Sequence, residues 1–390
     1  MTRKIICFSL LIVFLGCQED DEPTSLFEGD VVLSTQQEIS DFANSGLSKI
    51  NGNLLIESST NAALAITSLE GLNNLTEVEG DFIIFNNNEL TDLEGLDQLT
   101  SVGGLFSITL NRSLVQIRNL NNLTSVGLDL SIHQNERLGD VVGFNNLNSV
   151  GGSVEINNNA RLFSIEGFDG LSSIPGRLQV WSNPLLSSIT GFSSLSAIGT
   201  DLNFDGNAAL SNLDAFSSLT SIGNGLYLNS NNALTSIEGL NQLSTVGSRV
   251  EIQRNAALRT VNGLNNISTL PDFLIVWANT SLTDLDGLSG VTRVGNLVIS
   301  HNESLASIDL IGLTTIDNQL IMSGNNALEN LDGLSNVNFV GTSVIIDRNS
   351  SLSDFCGIGA ILQNDFSGDY NVLDNALNPS VEDILAGNCN

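Results

Sequence analysis

Six side chains stand out as material for chemistry: the rings of Trp181, Tyr227 and Trp277, and the carboxylates of Glu155, Asp205 and Glu251. Rings set at intervals along a strand face can stack on sugar rings, and carboxylates between them can accept hydrogen bonds from hydroxyls. Carboxylates paired at set separations would also be the machinery of a glycosidase. Other catalytic material is scarce. His133 and His301 are the only histidines, seven repeats apart, and cannot act together. The sequence contains no Gly-rich phosphate loop, metal-ligand cluster or nucleophile elbow. A polysaccharide lyase commonly needs a basic residue or a bound cation against an acidic sugar, and Lys4 and Lys49 are the only lysines. The expectation is a protein that is not an enzyme, with no catalytic residue, no metal and no cofactor.

What positions the six residues is a repeat. Asn87 recurs as Asn111, Asn135, Asn159, Asn183, Asn207, Asn231, Asn255 and Asn279 at 24-residue steps, as Asn302 and Asn325 at 23-residue steps, and as Asn349 after 24 more. Five residues before each stands a large apolar residue, from Phe82 and Phe106 to Leu320 and Val344, and three residues after each stands a leucine. The unit reads roughly L-x-I-x-x-N-x-x-L-x-x-L-x-G-L-x-x-L-x-x-V-G. Its L-x-I step alternates as a strand does, one face in and one out. Glycines and small polar residues mark the turns, and no segment holds a helical period for long. One unit cannot bury its apolar face alone, so neighbours must stack. The sequence therefore predicts a mainly β fold, a single parallel β-solenoid of about 13 coils. With strands about 4.8 Å apart, these coils make a rod roughly 60 Å long.

In that register the asparagines read as a ladder, because an amide both donates and accepts and can satisfy backbone groups buried at a bend. Phe144, Phe168, Phe192 and Phe216 fill one column of four successive coils and read as a stacked core spine. The residues one and three after the first apolar position point outward. In successive coils they include Glu155, Trp181, Asp205, Tyr227, Glu251 and Trp277, with a ring on every second coil, about 10 Å apart. Exposed large aromatics call for a reason, and a glycan or protein ligand supplies one. β-propensity alone also places aromatics on strands. A second outward column is acidic: Glu94, Glu166, Asp214, Glu238, Asp286, Asp309 and Asp332. It reads as a solvated edge, with Ca²⁺ bridging as the alternative.

Stacked strands need protected ends. Residues 28–49 read as an N-terminal cap: a strand at Val31-Val32-Leu33, then a short helix over Gln36 to Ala43, capped by Ser34 or Thr35 and ending near Gly46. The coils run over 50–355, and 356–390 form a C-terminal cap.

The N-terminus is set apart from the fold. Arg3 and Lys4 precede an apolar run, Ile5 to Leu15, too short to span a membrane. The run ends at Gly16-Cys17, and Cys17 resembles a lipobox cysteine of bacterial lipoproteins. The resemblance implies a signal peptide over 1–16 and lipid on Cys17. The acidic stretch that follows, within 17–27, reads as a solvated tether, and resembles the surface-export signal of some Gram-negative lipoproteins. The expected location is the outer membrane, lipid-anchored and surface-exposed. With Cys7 in the signal and Cys17 lipidated, Cys356 and Cys389 remain as a pair for a disulfide tethering the C-terminal tail.

The formal net charge is −30, and removal of 1–16 takes away two further positive charges and no negative ones. Such a chain repels nucleic acid and anionic lipid surfaces. The expected partner is an extracellular glycan or protein, with membrane contact through the lipid alone.

Units such as Leu90-Thr-Asp-Leu-Glu-Gly-Leu96 and Asn122-Leu-Thr-Ser-Val-Gly127 resemble the receptor L-domain, a leucine-rich-repeat-like solenoid that occurs in bacterial surface lipoproteins. Gly29-Asp-Val-Val-Leu33 and Gly52-Asn-Leu-Leu-Ile56 resemble its opening, and the likeness covers about residues 28–390. It departs from ordinary leucine-rich repeats in placing the leucine three rather than two residues after Asn. The resemblance implies a non-catalytic binding or adhesion module and transfers no site residue. The alternatives are a passive structural or adhesive scaffold that binds protein partners and, less favoured, a β-helix polysaccharide-active enzyme.

Overall fold

The structure, a computed structural model, describes residues 25–364 and 366–390. The expected signal peptide, Cys17 and most of the acidic tether lie outside the described residues. The chain divides into two compact units, one ending at Leu171 and the other beginning at Ser172. Both are built from the same coil.

In the first unit the strand Val31–Leu33 pairs in parallel with Leu54–Glu57, which begins a ladder continued by Phe82–Phe85, Phe106–Thr109, Leu130–His133 and Val154–Asn157. In the second unit Leu178–Trp181, Leu202–Asp205, Gly225–Asn229, Arg249–Gln253, Thr269–Trp277, Arg293–Ser300, Gln319–Ser323, Ser343–Asp347 and Asp369–Leu373 pair likewise. Up to Val344 each step in register is one sequence repeat, so Leu178, Leu202, Leu226, Val250, Leu274, Leu297, Leu320 and Val344 form one inward column. All eight are buried. Two-residue strands such as Ser101–Val102, Ser125–Val126 and Ser149–Val150 form a second parallel sheet at the next corner. There, glycines let coils close up. A Cβ on Gly127 would lie 1.9 Å from the Gly103 carbonyl oxygen, and one on Gly223 would lie 2.0 Å from that of Gly199.

The asparagine column is a buried ladder. Within each unit an amide nitrogen donates to a carbonyl of the preceding coil, as Asn111 does to Ile84 and Asn207 to Val180, at 2.9 and 2.8 Å. Within each unit an amide oxygen also accepts the backbone N–H of the preceding asparagine, as Asn207 does from Asn183 and Asn231 from Asn207, at 3.2 and 3.1 Å. The residue before each asparagine takes the left-handed conformation, from Asn86 (φ 57°) and Leu110 (φ 60°) to His301 (φ 58°) and Arg348 (φ 55°). That bend turns the strand and sends the asparagine inward. Leu110, Gln134, Arg254 and His301 pay the Cβ penalty there, about 1–2 kcal/mol each, so the ladder must hold them in place.

The ladder reaches further than the sequence pattern. Asn375 accepts the Asn349 N–H at 3.0 Å and donates to Ile346 at 2.8 Å, and its own N–H is capped by Asn378 at 2.9 Å. At the other end the Ser58 hydroxyl donates to the Asn87 oxygen at 3.0 Å. The phenylalanine column is a core spine. Within the first unit Phe144 and Phe168 stack at 4.9 Å, and within the second Phe192 and Phe216 stack at 5.7 Å.

The N-terminal helix spans Gln36–Ser45. Thr35 and Glu38 form a reciprocal capping box, and Gly46 ends the helix at φ 70°. Ile39 and Phe42 are buried. At the other end a disulfide joins Cys356 to Cys389, with the neighbouring Phe355 N–H donating to the Cys389 carbonyl at 2.8 Å.

Two outcomes follow from this packing. Asn207→Ala strands the Asn183 N–H and the Val180 carbonyl, and chemical denaturation is expected to show a loss of about 2–6 kcal/mol at about 1–3 kcal/mol per orphaned group. A conserved midpoint would show that the ladder is dispensable. Cys389→Ser opens a loop whose ends are 33 residues apart. The chain-entropy model expects that change to cost about 3–4 kcal/mol, read as earlier proteolysis of the segment after Phe355.

Candidate binding face

The two outward positions of each strand make two columns. In the second unit one column runs Trp181, Asp205, Asn229, Gln253, Trp277, and the other runs Gln179, Asn203, Tyr227, Glu251, Ile275. Five of the six sequence-picked residues lie on this face. Glu155 is described with the first unit. The rings fall on alternate strands but not in one line. Trp181 and Trp277 share a column four strands apart, roughly 19 Å at the strand spacing. Tyr227 stands in the other column.

These rings are half-buried, not freely exposed as the sequence suggests. Neighbours in the same and flanking coils explain why for Trp277 and Tyr227. The Arg254 guanidinium lies over the Trp277 ring, 4.4 Å from its centroid, a cation–π contact. The indole Nε1–H donates to His301 Nδ1 at 3.2 Å, with the two rings edge to face at 80°. The Tyr227 ring folds back over Gly225, where a Cβ would come within 2.6 Å of its Cε2. Beside it Arg249 binds Glu251 at 3.2 Å, bonds Asp272 and lies over the Phe273 ring. Gln253 donates to the other Glu251 oxygen at 3.0 Å. Asp272 and Phe273 reach this network because the corner opens into one long strand, Thr269–Trp277, with a register shift between Leu270 and Phe273.

The face also carries unmet hydrogen-bonding capacity. The side-chain oxygens of Asn203 and Asn229 are buried and have no hydrogen-bond partner. Burial raises the Asp205 carboxyl above its ordinary range, against a hydrogen bond from Ser230 and the attraction of Arg254. Burial likewise raises the Tyr227 phenol, helped by Asp201 and opposed by Arg249.

In the first unit the strand register brings His133 near Glu155, Nε2 to Oε2 at 3.5 Å. That nitrogen has no hydrogen-bond partner. Sequence reading set His133 aside as solitary. The signal was present, since it stands at the outward position of the strand preceding Glu155.

In the acidic column, burial raises the Asp286 carboxyl, as do a side-chain hydrogen bond with Asp309 and the nearby charges of Asp284 and Asp309. Among the described residues no three His, Cys, Asp or Glu side chains are grouped to hold a metal ion, and no helix is long and apolar enough to cross a membrane.

Residues 48–149 match the receptor L domain family. The fold is receptor L-domain-like. Its coils continue the same asparagine register beyond the matched segment, to Asn349. Among solved structures the chain is similar to a leucine-rich repeat protein from Bacteroides ovatus ATCC 8483, at 12% identity over 74% of this chain and 83% of that one, with a TM-score of 0.28. It is also similar to a TLR13–ssRNA13 complex, at 13% identity over 87% of this chain and 76% of that one, with a TM-score of 0.15. No curated protein matches the chain. A receptor L-domain-like, leucine-rich-repeat-like solenoid is suited to binding or scaffolding.

The chain has two tyrosines, Tyr227 and Tyr370, and burial raises both phenols. A raised phenol favours the folded state below the unfolded value of about 10, and the advantage is lost as pH rises through the folded value. Phenolate absorbance of the native protein is expected to appear at higher pH than that of the unfolded chain. Tyr227→Phe should remove part of that rise.

Proposed function

We propose that this chain is a cell-surface lipoprotein acting as a non-catalytic recognition module, and that the outward face of the second unit binds an extracellular glycan. The column Trp181–Asp205–Asn229–Gln253–Trp277 carries this reading. Two indoles bracket three polar side chains, with Tyr227 in the neighbouring column. Strands about 4.8 Å apart repeat on a scale close to that of linked pyranose rings. Indoles stack on sugar rings, and the Asn203 and Asn229 side chains add amide hydrogen-bonding groups to the same face.

The carboxylate placement supports binding over catalysis. Asp205 and Glu251 stand two strands apart in different columns, roughly 10–12 Å between backbones at the spacing and rise of a sheet. An inverting pair of carboxyls lies about 6.5–9.5 Å apart. The acidic chain also argues against nucleic acid as a partner. The gly-cys junction at Gly16-Cys17 and the acidic stretch after it support an outer-membrane, lipid-anchored location.

The chain's two tryptophans, Trp181 and Trp277, both stand on the proposed face, so intrinsic fluorescence reads it directly. Titration of the full chain in detergent with a panel of neutral and acidic polysaccharides is expected to give a saturable change with one of them. Trp181→Ala and Trp277→Ala together should abolish it while circular dichroism stays unchanged. Emission unaltered by every polysaccharide would move the assignment to a protein ligand or a passive scaffold.

A further inference from the structure

The side chains that hold Trp277 come from outside the two strand columns. Arg254 and His301 both occupy the left-handed position before a ladder asparagine, at φ 55° and 58°. The residue at that position in the coil between them is Ala278, small enough to leave room for the indole. Arg254 covers one face of the ring, so at most the other face is open to a ligand. His301 fixes the ring's edge by accepting the Nε1–H at 3.2 Å. The imidazole in turn lies against Gly324, where a Cβ would come within 3.2 Å of it. The orientation of Trp277 is therefore set from two sides.

The His301 contact depends on protonation. Nδ1 accepts only while it carries no proton, which puts the neutral ring's hydrogen on Nε2. A protonated imidazole presents N–H at both nitrogens, so Nδ1–H would face the indole N–H, donor against donor. The indole edge is also the positive part of its quadrupole, and a cation there is repelled. Charged groups around His301 do not replace the lost contact. The preceding coil offers Trp277, with Arg254 across the indole. The following coil offers Ser323 and Gly324, and the coil after that the Arg348–Asp347 ion pair, already closed at 3.5 Å. On its own turn the nearest carboxylate in sequence is Glu303.

We propose that Arg254 and His301 are positioning residues of the binding face, and that protonation of His301 unlatches Trp277 and weakens ligand binding as the pH falls. The binding half of this proposal rests on the reading of Trp277 as a ligand-stacking ring; the latch itself does not.

The test separates the two. Trp181→Phe leaves Trp277 as the sole tryptophan of the full chain. Its emission, with no ligand present, is followed from pH 8 to pH 5, the range in which imidazoles take up a proton. A single-proton transition is expected. His301→Gln should abolish it, because the glutamine carbonyl accepts the indole N–H at every pH. His301→Ala should show the low-pH emission throughout, and His133→Gln should leave the transition in place. A flat profile, or a transition that survives His301→Gln, overturns the latch. With the polysaccharide that answers the titration above, affinity is expected to fall about 5- to 10-fold at pH 5, the effect of losing one pre-organising hydrogen bond, and not in His301→Gln. A latch present with no polysaccharide bound by any variant would overturn the glycan reading alone.

Discussion

The coil depends on one constraint: a strand that turns a left-handed corner into an apolar core takes backbone N–H and C=O groups with it, and water cannot follow. The buried asparagine settles both groups at once: the Asn207 amide oxygen takes the Asn183 N–H and its amide nitrogen donates to the Val180 carbonyl. The repeat length can vary only where this device is untouched. The two 23-residue steps show this. Asn279 still donates to the Asn302 oxygen and Asn302 to the Asn325 oxygen, at 3.0 and 3.1 Å, and the amides still reach Val276 and Ile299 at 2.9 Å. The missing residue is taken from elsewhere in the coil.

A fixed register turns the outer surface into a grid. Every outward strand residue has a neighbour one coil away in the same column, and the left-handed residue adds a third lane beside the two strand columns. Side chains in these lanes can change without disturbing the core, because the ladder and the inward columns hold the backbone alone. This is why chemistry as unlike as an indole, two carboxylates and an aliphatic side chain can occupy equivalent places. It is also why interactions run between coils. Trp277 is held by residues from its two flanking coils, and Arg249 bridges its own strand to Asp272 on the next.

The inward half of this grid was legible in the sequence, because burial demands one residue type per column and a period shows it. The asparagine ladder and the phenylalanine spine were readable in that way, whereas the capped helix before Gly46 was readable from its capping residues and the Cys356–Cys389 bridge from the cysteine count. The left-handed column was not. Its residues include Leu110, Gln134, Arg254 and His301, and only a few, Asn86, Asn158, Gly206 and Gly324 among them, carried a usual signal. The final rung, Asn375, was hidden by a 26-residue step. On the outer face, alternation gave each residue's direction but not its company. That Tyr227 leaves the tryptophan column follows from a two-residue offset along the strand. That Trp277 is half-covered follows from Arg254 and His301, whose separations in sequence mean nothing until the coils are stacked.

Electrostatics bears on the proposed binding face. The chain as a whole is strongly acidic, and most of its surface repels anions and attracts cations without discrimination. The face between Trp181 and Trp277 is different. Arg254 stands by Asp205, and Arg249 stands with Asp201, Glu251 and Asp272 around Tyr227, and Arg249 is closed onto two of those acids. Burial disfavours the ionised form of Asp205 still further. The result is a strip of amides and rings whose charges are partly paired, on an otherwise anionic body. A neutral polyhydroxylated ligand loses little by approaching such a strip, whereas a polyanion must still cross the field of the surrounding carboxylates. On the proposed reading, discrimination falls to the rings and the amides, whose placement the ladder controls.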